Sequence, residues 1–409
     1  VIPHCRFCGA SLHHVIVDLG LSPLSNALLT RERLNEPEAL FPLRPLVCES
    51  CWLVQLPEFE TPDKIFSDYV YFSSYSTTWR EHVERYATDI IQRLQLGERS
   101  LVAEVGSNDG HLLQCFARRA IPVLGIEPAA NVAATAVSSG VRTEVAFFGE
   151  RTAERLQAIY GKADLIVANN VLAHVPALND FIAGLREFLK PGGTLTLEFP
   201  HLLRLIERTE FDTIYHEHFS YFSLSVVRRI FAAHGLDITD VEELPSHGGS
   251  LRIYASHAVA ARKTTAAVQT IEAAERSAGL ETLASYERFA LAVVKAKAAL
   301  LDFFRTSQSQ GLTIAGYGAP AKATTLLNYC GIGGDLLPYT VDRNPVKQGR
   351  YIPGVKIPIE APETLIARKP PYVLVLPWNW ASEVVEQMRA VKQWGGKFVV
   401  PIPSVAVLD

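Results

Sequence analysis

Between residues 101 and 200 the apolar positions come in short runs separated by amphipathic stretches. The runs "SLVAEVG", "PVLGIEP", "ADLIVANN" and "GGTLTLEFP" read as strands. "HLLQCFARRA" and "NDFIAGLREFLK" read as helices. Strands that alternate with helices predict a parallel sheet with helical crossovers, because parallel neighbours cannot be joined by a tight turn. The alternation returns after residue 311 in "GLTIAGYG", "PAKATTLLNYC", "LLPYTVDRN" and "PYVLVLP". It predicts a second, smaller doubly wound domain. Residues 258–310 lie between the two sheets, rich in Ala, Glu, Lys and Arg, without proline and interrupted by Gly279. They read as a long helical connector. Residues 1–66 show few long helical patterns. An α/β chain in three regions is therefore expected: 1–66, 67–257, and 258–409 with the connector at its start.

Composition narrows the classes of function. The 409 residues exceed one ordinary domain. They are 48% hydrophobic and 20% charged, as in globular proteins, with a formal net charge of −4. That balance gives no electrostatic case for a nucleic-acid or anionic-membrane partner. No apolar run reaches the roughly 18 residues that span a bilayer. The sequence opens on Val1 and its single methionine is Met388, which leaves a trimmed leader open. The cysteine pattern speaks against secretion, so a cytoplasmic protein is expected, as a monomer or small homo-oligomer.

Four of the six cysteines form the pairs "CRFC" and "CESC". A C-x-x-C pair reverses the chain and points two thiolates at one centre. Two such pairs make a tetrahedral S4 site that suits Zn²⁺. Cys5, Cys8, Cys48 and Cys51 are the expected ligands. With no position left for water, the zinc is read as structural. Two disulfides or two unrelated turns are the alternatives. The long loop between the pairs carries Pro23, Pro37, Pro42 and Pro45.

"EVGSNDGHLL" lies where the first central strand turns into a helix, at the carboxyl edge where such sheets bind ligands. Gly106 and Gly110 are read as letting the backbone approach a ligand. Glu127 ends the second strand, where a carboxylate accepts both hydroxyl hydrogens of a ribose. A dinucleotide site wants G-x-G-x-x-G. Here the turn carries Asp109, which repels a pyrophosphate yet is compatible with the sulfonium and zwitterionic tail of S-adenosylmethionine. "FLKPGGTLTLEFP" adds weight, because a helix, a P-G-G turn and a strand resemble the back half of class I methyltransferases. The candidate cofactor set is Glu104, Gly106, Asn108, Asp109, Gly110, Glu127 and Asn169.

The motifs "CRFC", "CESC", "EVGSNDGHLL", "IYHEHFSYFS", "HGGSLR" and "GYGAPAK" together resemble the three-domain NDP-sugar C-methyltransferases of bacterial deoxysugar pathways, over nearly the whole chain. Within that family the chain is most similar to C-3 methyltransferases that act on dTDP-linked 3-amino-4-keto sugars on the way to antibiotic nitrosugars. The resemblance implies an N-terminal zinc-binding module, a central class I methyltransferase Rossmann-like domain and a smaller C-terminal Rossmann-like domain. It also implies a dTDP-sugar as the small-molecule substrate.

Methylation at carbon needs a nucleophilic carbon. A neighbouring ketone provides one by losing an α-proton to give an enolate, so the protein must supply a base and an oxyanion donor. "FDTIYHEHFSYFS", residues 211–223, holds these parts. Given the resemblance, His218 is the expected base and Tyr215 shares its face if the stretch turns. Glu217 is read as orienting the base, binding the 3-amino group or acting as base itself, and His216 as structural. A catalytic metal on His-x-His lacks an evident third ligand. The resemblance points to Tyr69 among the tyrosines of "DYVYFSSYS", which otherwise read as an aromatic hinge. His174 and His247 are candidate substrate contacts, or else a helix cap and part of a tight turn. In "GYGAPAK", glycines precede a helix N-terminus suited to phosphate. Tyr317 and Lys322 there are expected near the substrate's nucleotide, with Asp342 as a ribose acid. An NAD-dependent oxidoreductase and a non-catalytic zinc scaffold are the alternative functions.

Overall fold

The computed structural model describes residues 2–62, 64 and 77–408. At its centre lies a seven-stranded sheet in the order Leu236–Leu244, Ser250–His257, Leu189–Pro200, Ala163–Asn169, Val102–Val105, Val123–Ile126 and Thr143–Glu144. From Leu189–Pro200 to Thr143–Glu144 every pairing is parallel. Val102–Val105 is buried at every position, because helices cover both faces of a parallel sheet. The hydrophobic pattern did not announce the other edge. There Ser250–His257 runs antiparallel to both its neighbours. The short turn at Ser246–Gly248 joins two strands directly, and such a turn permits only antiparallel pairing.

The C-terminal sheet has six strands, in the order Ile359–Glu360, Thr340–Val341, Ile314–Tyr317, Tyr372–Val375, Lys397–Val400 and Ala406–Leu408. All are parallel except the last pair. Between the sheets the connector is two helices, Ala266–Ala278 and Leu283–Ser309. Gly279 separates them at φ 76°, the left-handed conformation that ends a helix. No described helix is long and apolar enough to cross a membrane.

The cysteine module is woven into the rest of the chain. Its four-stranded sheet runs His14–Val15, Leu46–Val47, Val54–Gln55 and then Ser220–Tyr221. That last strand comes from the middle of the chain and pairs antiparallel with Val54–Gln55. The apolar cores cross the same divisions. One packs Cys5 and Leu12 with Phe199 and Phe222, and another packs Leu43 with Phe211, Leu326 and Leu327.

Candidate active site

A cavity of about 1050 Å³ opens where the three regions meet. One end lies at the carboxyl edge of the central sheet. Glu104, Gly106, Ser107, Asn108, Glu127 and Asn169 line it. Glu127 accepts backbone N–H bonds from Asn108 and Ala129, both at 2.9 Å. Burial pushes the Glu104 and Glu127 carboxyls above the usual carboxylate range, and the nearby Asp109 charge adds to both. Glu104 Oε2, Ser107 Oγ and both polar side-chain atoms of Asn169 are buried without a hydrogen-bond partner among the described residues. Leaving such atoms unsatisfied costs about 1–3 kcal/mol each. A ligand rich in hydroxyl, amino and adenine groups satisfies them, so the residues fit S-adenosylmethionine.

Of the two glycines of the turn, Gly106 lines the cavity and Gly110 does not. A Cβ on Gly106, at φ 68°, would stand 2.4 Å from Val171 Cγ2. One on Gly110 would meet Ala136 at 3.0 Å and Val141 at 3.2 Å. Gly110 therefore admits protein neighbours at the start of helix His111–Ala117, and it does not line the cavity. Neither does Asp109, which is buried behind the wall and reaches Glu104 through its charge.

Midway along the cavity lies the stretch 211–223. After the short helix Phe211–Thr213 the chain turns, closed by the His218 N–H to the Tyr215 carbonyl at 2.9 Å. The turn brings the Tyr215 and His218 rings to 4.1 Å between centroids, with the hydroxyl 2.9 Å from His218 Nε2. His218 Nδ1 lies 3.0 Å from the Thr213 carbonyl oxygen. A carbonyl only accepts, so Nδ1 carries the hydrogen and the Nε2 lone pair accepts from the Tyr215 O–H. Burial, helped by neighbouring His174, holds His218 well below the usual imidazole range. The ring is neutral at physiological pH.

His174 follows the same logic. Its Nδ1 donates to the Glu217 carbonyl at 2.8 Å, its ring stands edge-on to His218 at 4.8 Å, and burial lowers it to about 4. The Glu217 side chain turns the other way. Both its oxygens accept from Asn26 Nδ2, at 2.8 and 2.9 Å. Burial raises its carboxyl to about 7, against the pull of Asn26. The Thr213 carbonyl orients His218, and the Glu217 carboxylate makes no bond to it, which removes one of the three expected roles of Glu217. His216 donates to the Pro42 carbonyl at 3.2 Å between Phe41 and Phe59, as a packing residue. Tyr69, Tyr71 and Tyr75 lie outside the described residues.

The far end belongs to the C-terminal domain. Tyr317 donates to Gln387 at 3.1 Å. Lys322 donates to Asn379 at 2.6 Å and sits 4.0 Å above the Trp378 ring. Both line the cavity, as do His174 and His247. His247 adopts a left-handed φ of 55° between Trp79 and Trp380, and burial lowers it to about 4. Asp342 also lines the cavity, yet the Ala319 and Asn344 N–H groups, both at 2.8 Å, already engage its oxygens. It fastens the glycine turn as well as facing the space. Two adjacent threonines on helix Ala321–Cys330 bind the walls together. Thr324 donates to the Ser25 carbonyl at 3.0 Å and Thr325 to the Ile214 carbonyl at 2.9 Å. Sequence reasoning did not single out Asn26, Asp212, Trp378 or these threonines. Each is an ordinary residue type whose partner lies far away in the sequence.

The four sulfurs of Cys5, Cys8, Cys48 and Cys51 lie within 4.8 Å of one another. The pairs Cys5 with Cys51 and Cys8 with Cys48 stand at 3.5 Å, far from the roughly 2.05 Å of a disulfide. Tetrahedral zinc with 2.3 Å bonds separates sulfurs by about 3.8 Å, so the quartet fits that ion. Gln55 donates to Cys5 Sγ at 3.2 Å from the strand that pairs with Ser220–Tyr221. The cluster is thereby coupled to the stretch that carries His218.

Three family models match the chain. They are a candidate zinc binding domain over residues 5–66, a methyltransferase domain over 79–241 and a C-methyltransferase C-terminal domain over 245–403. Among curated proteins, the C-methyltransferase NovU of Streptomyces niveus is 36% identical over 408 residues, covering 100% of this chain and 97% of its own. Among solved structures, the CcbJ methyltransferase from Streptomyces caelestis is 12% identical with a TM-score of 0.35, covering 43% of this chain and 89% of its own. Magnesium protoporphyrin IX methyltransferase from Synechocystis PCC 6803, with bound SAH, is 16% identical with a TM-score of 0.34, covering 44% and 83%.

Proposed function

The chain belongs to the C-methyltransferase family, and from that premise we propose that it methylates C-3 of a dTDP-linked 3-amino-4-keto-deoxysugar through an enolate. Family membership sets aside the oxidoreductase and scaffold alternatives. Bound S-adenosylmethionine supplies the methyl group as an electrophile. Glu104, Ser107, Glu127 and Asn169 are the residues that would hold it at the sheet edge.

The observation that carries the reading is the pairing of Tyr215 and His218 on the cavity wall, 2.9 Å apart. A neutral imidazole with its Nε2 lone pair towards a phenol is the base and donor set that a ketone α-proton requires. His218 Nε2 takes the C-3 proton. The Tyr215 hydroxyl, released from Nε2, donates to the oxygen that gains charge. Burial of His218 favours its neutral, proton-accepting form, and the Thr213 carbonyl keeps the accepting nitrogen on the cavity side. Glu217, beside His174, is left to meet the 3-amino group. Tyr317 and Lys322 face the nucleotide end.

Solvent exchange tests this. The protein is incubated in D2O with the 4-keto sugar nucleotide and S-adenosylhomocysteine, and the C-3 proton is followed by NMR. Exchange is expected in the wild type and in Glu217→Gln, and lost in His218→Asn. Loss in Glu217→Gln alone transfers the role of base to Glu217. Methyl transfer assayed over several keto-sugar nucleotides tests the choice of sugar.

A further inference from the structure

Behind Lys322 lies a buried acidic pair that the proposed chemistry does not use. Asp212 is 0% exposed and Glu210 2% exposed. Asp212 Oδ2 accepts the Trp378 indole N–H at 2.7 Å. Asp212 Oδ1 and Glu210 Oε1 are buried without a hydrogen-bond partner among the described residues. The same Trp378 presents its face to the Lys322 ammonium, 4.0 Å from the ring centroid. The indole thus stands between a carboxylate on its edge and a cation on its face. A carboxylate that accepts the indole N–H pushes electron density into the ring, which strengthens the ring's attraction for the cation.

Lys322 itself is not neutralised. Among the described residues its ammonium forms no ion pair, and it donates to the neutral amide of Asn379. An ammonium has three donors. The remaining ones are available in a cavity that Lys322 lines beside His218 and His247.

We infer that Asp212 and Trp378 are positioning residues that hold the Lys322 ammonium in the cavity as a counter-charge for a negatively charged oxygen of the substrate. This rests on the sugar-nucleotide reading above, which offers two such oxygens: the enolate and the diphosphate. The electrostatics agree. Burial pulls Lys322 below its ordinary range, and the Asp212 and Glu210 charges pull it back up. Burial raises Asp212 to about 6 and Glu210 to about 8, and Lys322 is the first influence that opposes each shift. His218 and His247 face Lys322 from the other walls, and its charge helps keep both neutral. Arg208 acts on Glu210 from the solvent side.

The test reads Lys322 directly, before any turnover. The full chain is labelled with acetic anhydride across a pH series, and acetylation of Lys322 is quantified by peptide mass spectrometry. In Asp212→Asn the amide oxygen still accepts the indole N–H but the charge is gone. Lys322 is then expected to become reactive at a pH lower by about one unit. In Trp378→Phe the ring stays while the N–H is lost, so Asp212 is free to pair with Lys322 and its acetylation is expected to fall severalfold. Identical labelling curves in wild type and both variants, with melting temperatures showing them folded, overturn the inference. So does a lowered melting temperature in Asp212→Asn with unchanged labelling, since that is a purely structural role. Steady-state methyl transfer then separates the two oxygens. A diphosphate partner raises KM in Lys322→Met and leaves kcat, whereas an enolate partner lowers kcat and leaves KM. Lys322→Arg is expected to rescue the first more fully than the second. If the labelling shifts but no sugar nucleotide is turned over, Asp212 and Trp378 still position Lys322, but its role as counter-charge falls with the substrate reading.

Discussion

His174, Glu217, His218 and His247 owe their protonation first to burial, and that has consequences for stability that are separable from catalysis. Glu217 illustrates them. Folded, it keeps its proton up to about pH 7, whereas an unfolded glutamate releases it near pH 4.3. Between those values the folded state binds more protons than the unfolded one, so stability falls as pH rises through this window. The integrated cost above pH 7 is about 4 kcal/mol. Glu217→Gln, which keeps an acceptor for Asn26, is therefore expected to match the wild type in urea unfolding at pH 4 and to exceed it at pH 8. Equal stability at pH 8 refutes the assignment. Asn26→Ala removes the donor shared by both oxygens and is expected to raise the Glu217 carboxyl further, with a loss of methyl-transfer rate of about tenfold that eases as pH increases. A pH–rate profile of the variant checks it.

At the scale of elements, the short strand Ser220–Tyr221 links chemistry to metal. It is the last strand of the cysteine module's sheet, and His218, two residues before it, belongs to the site. Chelation of zinc is expected to raise amide exchange across residues 215–222 and to abolish methyl transfer in the same concentration range. Exchange confined to residues 5–55 would separate the two. The connector helix Ala266–Ala278 is anchored by Glu275, which is 1% exposed. It accepts from His201 at 2.8 Å and from the Leu224 and Ser225 N–H groups at 2.6 and 3.0 Å, so it closes the open end of helix Leu224–Ala233. Glu275→Ala leaves a buried imidazole and two amides without their acceptor. A loss of about 3 kcal/mol is expected in chemical denaturation. How far elements could be read from the chain depends on whether their signal is local. The C-x-x-C pairs, the strand and helix alternation, the break at Gly279 and the turn that joins Tyr215 to His218 all declare themselves within a few residues. Asn26 on Glu217 is a contact across 191 positions, and Trp378 on Asp212 one across 166. An asparagine or tryptophan in a loop carries no pattern that names a distant partner. The glycines of the first turn were legible as glycines, but only their neighbours reveal that Gly110 makes room for Ala136 and Val141.

At the scale of the molecule, two of the apolar cores cross the three regions and one cavity joins them, so the loss of a contact between regions is expected to be felt beyond the region that carries it. Thr325→Val, which leaves the Ile214 carbonyl buried and unbonded, is expected to lower the melting temperature of the whole chain by a few degrees and not of one part. The neighbouring threonines also bear on how such enzymes diversify by recombination. Thr324 holds the loop before Asn26 and Thr325 holds the turn before Tyr215, so one turn of one helix fixes the spacing of two walls encoded far apart. A hybrid gene that takes its C-terminal domain from a relative inherits a foreign ruler between those walls. New substrate ranges should therefore be reached by grafting residues 24–28, 211–221 and 320–325 together, and crossovers that separate them should lose methyl transfer.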